Sequence, residues 1–243
     1  MSLEAQYRAL YQLMYKRGTR DAFEQGKFER FEGTSDDEAA EISKVAGLRQ
    51  NIVVQLHAND IGNNWYAPRF PATWMALQVA LGVDQAELTM RLTNADAFEL
   101  RVNDDYDGRA LAAYVQQLAE FKPPRGHKTE PPLAGAPWLP ELLRYERMIA
   151  GHWPDDASPR VERFDWDVGG VHDALLEKEL FPVDERPVPL HLLLHRDAAG
   201  VTEVALNAEQ ASTMKKLLRG EDTKGEPPKI VAKCRRVLNQ LKD

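Results

Sequence analysis

A proline-rich segment divides this chain and limits what can lie within and around it. Five of the fifteen prolines fall between Lys122 and Pro137, at positions 123, 124, 131, 132 and 137. Because proline has no backbone N–H to donate and its ring clashes with a continuing helix, neither a regular helix nor a central strand can run through such a stretch. The segment also has no hydrophobic periodicity, which predicts an ordered loop or a tether.

Apolar residues before this segment recur at helical spacing. Leu3, Tyr7 and Leu10 begin one such stripe, with further apolar side chains on the same face. Residues that commonly begin or end helices follow at Ser35, Pro71, Gly82 and Asp84. Two more helices are predicted over residues 109–121 and 138–150, and the second is placed with the N-terminal half. We therefore predict a helical bundle over residues 1–152.

The pattern changes after Pro159. Val161, Phe164 and Trp166 alternate with charged residues, as in a strand at the edge of a sheet. Two apolar runs, 189–195 and 201–206, are separated by a turn sequence and predict a β-hairpin. Two helices follow, one begun by Asn207 and one by the prolines at 227 and 228. The predicted fold class is α+β, with a helical N-terminal bundle and a small C-terminal α/β domain over residues 159–243.

Composition narrows the functional classes. The chain has 243 residues and a net charge of −7, which lowers the expectation of nucleic-acid binding because such binding depends on neutralising phosphates. Basic residues do cluster on the two C-terminal helices, at Lys215, Lys216 and Arg219 and at Lys233, Arg235 and Arg236. They fit a solvated helix face or a DNA-reading helix. With no apolar stretch of membrane-spanning length and no secretory signal at the N-terminus, a cytoplasmic protein is predicted.

No catalytic or metal-binding site is predicted. The acidic stretch 103–108 resembles a calcium loop, but Tyr114 stands where the loop needs a glutamate. His191 and His195 fall in a strand, where they would lie about 13 Å apart, too far to share one metal. The one cysteine, Cys234, lies on the apolar face of its helix, which indicates a buried thiol.

Three segments together resemble one protein family. The first runs from Leu48-Arg49-Gln50-Asn51 through Phe70-Pro71-Ala72-Thr73-Trp74 to Leu81-Gly82, the second covers residues 137–146, and the third is the hairpin and helix over 192–210. They resemble the partner proteins of multinuclear non-haem iron oxidases in ribosomal peptide biosynthesis, of the methanobactin and 3-thiaglutamate type. Some relatives of these partners are described as putative DNA-binding domains. Gln50 departs from the commoner form, in which an arginine follows an aromatic residue.

The resemblance implies a non-catalytic subunit that binds a precursor peptide and presents it to the oxidase for cysteine modification. It implies no cofactor in this chain, because the iron belongs to the oxidase. An exposed sheet edge can take an extended peptide as an added strand, so the peptide is expected at one of the two edges. The residues concerned are Val161, Phe164, Trp166, Val201, Thr202, Glu203 and Val204. The alternative is a DNA-binding transcriptional regulator that uses the C-terminal helices.

Aromatic residues are the candidates for the surface that contacts the oxidase. Trp65, Tyr66 and Phe70 cluster with Trp74 between prolines, and Trp138 stands between Pro137 and Pro140. Such a cluster could line a groove or fill the core between helices. The expected partner-facing residues are Trp65, Tyr66, Phe70 and Trp138.

Overall fold

The computed structural model describes residues 35–38, 62–94, 107–121, 131–153, 155, 157–177, 181 and 187–241. Two compact units divide the chain. One comprises Met1–Pro68 and Leu77–Pro132, and the other comprises Arg69–Ala76 and Leu133–Asp243. Much of the predicted N-terminal bundle, including the stripe that begins at Leu3, lies outside the described residues.

Helices make up the described part of the first unit. A wide helical turn, Gly62–Tyr66, precedes a short turn, Ala67–Arg69. Helix α1, Pro71–Leu81, begins in the second unit and ends in the first. Helices α2, Gln85–Asn94, and α3, Arg109–Ala119, follow. The predicted helix signals are confirmed here: proline begins α1, Gly82 ends it with a φ of 62°, and the Asp84 carboxylate accepts the N–H of Glu87 at 2.8 Å.

The second unit is built on a three-stranded antiparallel sheet. Strands β1, Arg160–Phe164, and β3, Gly200–Leu206, flank the central strand β2, Leu190–Asp197. Leu193 pairs with Val161 on one side and with Val204 on the other. The predicted hairpin is therefore confirmed, with its turn at Ala198 and Ala199.

Helices cover both faces of this sheet. Helix α4, Leu139–Ile149, packs against β3 and against α5, Val168–Leu176. On the opposite face, α6, Ala208–Arg219, contacts all three strands and packs on α7, Pro228–Gln240. Leu193, Met214 and Cys234 form the buried centre of the layer between the sheet and these two helices.

The mixed α+β class is confirmed by this sheet and its helices. The predicted domain boundary, between 152 and 159, lies within Leu133–Asp243, the longer of the two segments that make up the second unit. Helix α4 groups with the sheet because its apolar side packs there, although its sequence resembles the helices before it. No helix within the described ranges is long and apolar enough to cross a membrane.

Paired hydrogen bonds begin helix α6 as the sequence predicts. The Asn207 side chain accepts the N–H of Gln210 at 2.8 Å, and the Gln210 side chain accepts the N–H of Asn207 at 3.1 Å. These bonds satisfy donors that no helical carbonyl can reach. At the other end, Gly220 adopts a φ of 70°, the left-handed conformation that glycine accepts without strain.

Replacing Asn207 with alanine should lower the free energy of unfolding by about 1 kcal/mol, because the N–H of Gln210 loses its acceptor. Chemical denaturation followed by circular dichroism measures the change. Asn239→Ala is the matched control, since Asn239 is exposed near the end of α7 and caps no helix. An equal loss of stability in the two variants would contradict the capping role.

Candidate functional site

The two edges of the sheet are the places where an extended chain could pair with this unit. Strand β2 has a neighbour on each side, so its backbone groups are already used. Strands β1 and β3 each have one neighbour among the described residues. An unpaired edge presents a row of N–H and C=O groups, which is why sheet edges bind peptides and also promote aggregation.

Side chains from α4 occupy the edge region at the end of β1. The Arg144 guanidinium donates a hydrogen bond to the carbonyl of Arg163 and lies 4.3 Å from the centre of the Phe164 ring. The Glu141 carboxylate accepts the N–H groups of Asp165 at 2.7 Å and Trp166 at 3.1 Å. Backbone groups at this end of β1 therefore already have partners within the unit.

Strand β3 is the more open edge. Thr202, Glu203 and Ala205 are exposed, and no described strand pairs with the outer side of β3. The strand contains no proline and no lysine, the residues that often protect an edge from unwanted pairing. Alternate residues of an antiparallel strand direct their backbone groups away from the partner strand. Those of β3 are not paired with any strand that the structure describes.

The Glu203 side chain of β3 is held by a hydrogen bond from α4. The Tyr145 hydroxyl donates to the Glu203 carboxylate, with distances of 3.2 and 3.1 Å to the two oxygens. Burial first, and then the negative charge of Glu203, raises the pKa of Tyr145 well above its ordinary range. The tyrosine therefore keeps its proton and can donate at any physiological pH. This contact fixes β3 against α4 without using the outward backbone groups.

The predicted peptide-binding residues do not form one site. Val161, Phe164 and Trp166 belong to the β1 edge, whereas Val201 to Val204 belong to the β3 edge, and β2 lies between them. Phe164 is fully buried, with its ring edge-on to Tyr145 at 6.0 Å. Its side chain belongs to the core and is not accessible to a peptide. Of the seven residues, Thr202 and Glu203 are the exposed ones.

Most of the predicted partner-facing aromatic residues are also buried. Tyr66, Phe70 and Trp138 are at most 1% exposed, whereas Trp65 is half-buried. Phe70 contacts the His152 ring and Trp138 contacts the Phe181 ring. These large apolar rings are stabilised by removal from water. The core interpretation of the cluster therefore holds for these three residues.

A buried carboxylate that is not among the predicted site residues binds the start of helix α1. The two oxygens of Glu146 accept the N–H groups of Ala72 and Thr73, each at 2.9 Å, and the side chain is 1% exposed. A helix start has N–H groups without internal partners and a partial positive charge, so a carboxylate is well matched to it. The available sequence signal was a charged residue on the apolar face of a helix.

Burial dominates the ionisation of this group. Loss of water raises the pKa of Glu146, while the hydrogen bonds from Thr73 and Ala72 and the nearby His172 act in the opposite direction. His172 Nε2 lies 3.8 Å from one carboxylate oxygen, and its ring stands edge-on to Tyr145 at 5.5 Å. The arrangement ties residues 69–76 to the sheet-containing unit, and we assign it a structural role.

The structure describes the candidate metal ligands His191 and His195 and the candidate nucleophile Cys234. No group of three His, Cys, Asp or Glu side chains in the described part of the chain could hold a metal ion. Burial, together with Arg163 and Lys215, lowers the pKa of His191. Cys234 is buried, as the sequence predicts, and its thiol donates to the carbonyl of Gln210 at 3.7 Å. Burial raises the pKa of this thiol, which disfavours the reactive thiolate.

The chain matches no model of a known protein family, and no curated protein matches it.

Replacing Glu146 with alanine should lower the free energy of unfolding by about 1–3 kcal/mol at neutral pH, because the N–H groups of Ala72 and Thr73 lose their acceptor. The effect should also depend on pH. A carboxyl group whose pKa is raised by folding stabilises most below its ordinary value of 4.5, and this contribution is lost as the pH rises through the raised pKa. The difference in the free energy of unfolding between parent and variant should therefore become smaller from acid to neutral pH.

Denaturant titrations of the parent and the variant from acid to neutral pH measure this difference in the free energy of unfolding. Glu209→Ala is the matched control, since Glu209 is exposed in the first turn of α6 and its replacement should change the free energy of unfolding little. A difference in the free energy of unfolding that grows with rising pH would mean that the hydrogen bonds favour the charged carboxylate more than burial disfavours it.

Proposed function

We propose that this chain is a non-catalytic partner subunit of an iron-dependent oxidase that modifies cysteine in a ribosomal precursor peptide. Its role is to bind that peptide and present it, while the oxidase holds the iron and performs the chemistry. The resemblance of the three segments to such partner proteins supports the class. The observation that carries peptide binding is the open outer edge of β3, where exposed residues adjoin backbone groups without a partner strand among the described residues.

The β3 edge is favoured over the β1 edge by the contacts of α4. Arg144 and Glu141 engage the backbone at the end of β1, so a peptide there would have to displace them. A peptide on β3 needs no such displacement. Strand addition gains affinity from main-chain hydrogen bonds and selectivity from the side chains that flank them. In this unit Thr202 and Ala205 are exposed on β3, next to the position that an added strand would take.

A second candidate function, a DNA-binding regulator, is supported by the exposed basic side chains of α7. Lys233, Arg235 and Arg236 are exposed there. The net charge of −7 opposes it, because a duplex carries a dense row of phosphates that the rest of the chain would repel. An electrophoretic mobility shift experiment tests this function. If the chain does not retard a DNA duplex even at low salt, the DNA-binding function is ruled out.

Proline substitutions in β3 test the peptide site. Of the adjacent residues Thr202 and Glu203, one directs its N–H to β2 and the other directs it outward. Proline at the inward position breaks the sheet and should unfold the unit, while proline at the outward position should leave it folded. The folded variant should bind the precursor peptide up to about tenfold more weakly, which corresponds to one lost hydrogen bond of up to about 1.5 kcal/mol.

Circular dichroism identifies the folded variant, and calorimetric titration with the cysteine-containing precursor peptide measures its affinity. Alanine at the same position is the matched control, because it keeps the N–H and should bind like the parent. A folded proline variant with the affinity of the parent would place the peptide elsewhere.

Partnership with the oxidase predicts co-elution. The chain and an iron oxidase of the proposed type, expressed together, should emerge from size-exclusion chromatography as one complex at micromolar concentration. Mixing the separately purified proteins is the control for assembly during expression. Separate elution in both experiments would contradict the partnership but would leave peptide binding by β3 to be judged by calorimetry.

A further inference from the structure

Helix α7 carries an unusual concentration of positive charge for an acidic chain. Its sequence holds four basic residues and no acidic one, in a protein with 38 acidic and 31 basic residues. All four basic side chains are exposed. They are Lys229, Lys233, Arg235 and Arg236, which we call the α7 basic row.

Within the described ranges, no carboxylate forms an ion pair with any member of the α7 basic row. Other basic residues of the same unit do have such partners: Lys216 pairs with Glu226 at 2.5 Å, and Arg163 pairs with Asp165 at 2.9 Å. Even the highly exposed Lys224 lies 3.6 Å from Asp222. The positive charges of α7 are therefore compensated less than those around them.

The spacing of the row works against the helix itself. Lys229, Lys233 and Arg236 are separated by four and three residues, so they lie along one face. Like charges at these spacings destabilise a helix by about 0.2–0.5 kcal/mol per pair. Lys229 also lies in the first turn, where the helix dipole disfavours a positive charge. A bound anion would relieve both effects.

The size of the row selects among polyanions. A DNA duplex extends well beyond one helix, and its phosphates would be repelled by a chain with a net charge of −7. An extended polypeptide places alternate side chains about 6.7 Å apart. Lys229 and Lys233 are separated by about 6 Å along the helix axis, at 1.5 Å per residue. Two alternate carboxylates of a short peptide can therefore reach Lys229 and Lys233 at the same time.

We infer that the α7 basic row binds a short acidic polypeptide segment of a partner protein, with Asp or Glu at alternate positions. The observation that carries this inference is the complementarity between an uncompensated positive row and an extended row of carboxylates. Binding depends on charge, so its affinity falls as salt increases. This site is distinct from the β3 edge, and the inference does not rest on the proposed function.

Fluorescence anisotropy with the full chain tests the inference. The probe is a short labelled peptide in which Glu alternates with Ser, compared with a peptide in which Gln replaces Glu and with a short DNA duplex. We expect salt-dependent binding of the Glu peptide, no binding of the Gln peptide, and weaker binding of the duplex. The double variant Lys233→Glu with Arg236→Glu should weaken binding of the Glu peptide by at least about tenfold.

A matched double variant, Arg109→Glu with Lys224→Glu, makes the same change in net charge at two residues that already lie beside carboxylates. It should retain most of the binding. Equal loss in the two double variants would overturn the inference, since the effect would then follow net charge alone. Tighter binding of the duplex would overturn it in favour of nucleic acid, and failure to bind the Glu peptide at low salt would overturn it outright. Circular dichroism confirms that both variants are folded.

Discussion

The burial of strand β2 on both faces is the constraint on which the rest of the sheet-containing unit depends. Leu192, Leu193 and Leu194 are consecutive, so their side chains alternate between the two faces, yet none is more than 5% exposed. Such a strand needs a cover on each side, which α4 provides on one face and α6 on the other. With both faces covered, the described part of the sheet has its unpaired backbone groups at the two outer strands.

The two edges of the sheet differ because helix α4 contacts them in different ways. Helix α4 extends Arg144 and Glu141 to the backbone at the end of β1, whereas its contact with β3 is made through the Glu203 side chain. One edge is consequently tied to the core, and the outward backbone groups of the other pair with no strand among the described residues. Added-strand binding and a charged helix surface are independent ways to hold a chain, because the first depends on main-chain geometry and the second on charge.

Glu146 shows how a buried charge can fix an arrangement of segments. A carboxylate out of water is costly unless it is hydrogen-bonded, so its partners must be in place when the unit folds. The N–H groups of Ala72 and Thr73 provide these partners from a segment far away in the sequence. This requirement explains why residues 69–76 group with the sheet and why a helix begins in one unit and ends in the other.

The local chemistry of the sequence by itself determined the individual elements of the described unit. Two apolar runs joined by turn residues predicted the hairpin, and the capping pattern of Asn207 and Gln210 predicted the start of α6, because these signals act between residues close in the chain. Tertiary structure alone decided how the elements combine. Long-range packing placed α4 with the sheet, buried Phe164 and Trp138 where the sequence had suggested surface, and left β3 as the open edge. Periodicity reports which face of an element is apolar, but only packing between distant segments decides what covers it.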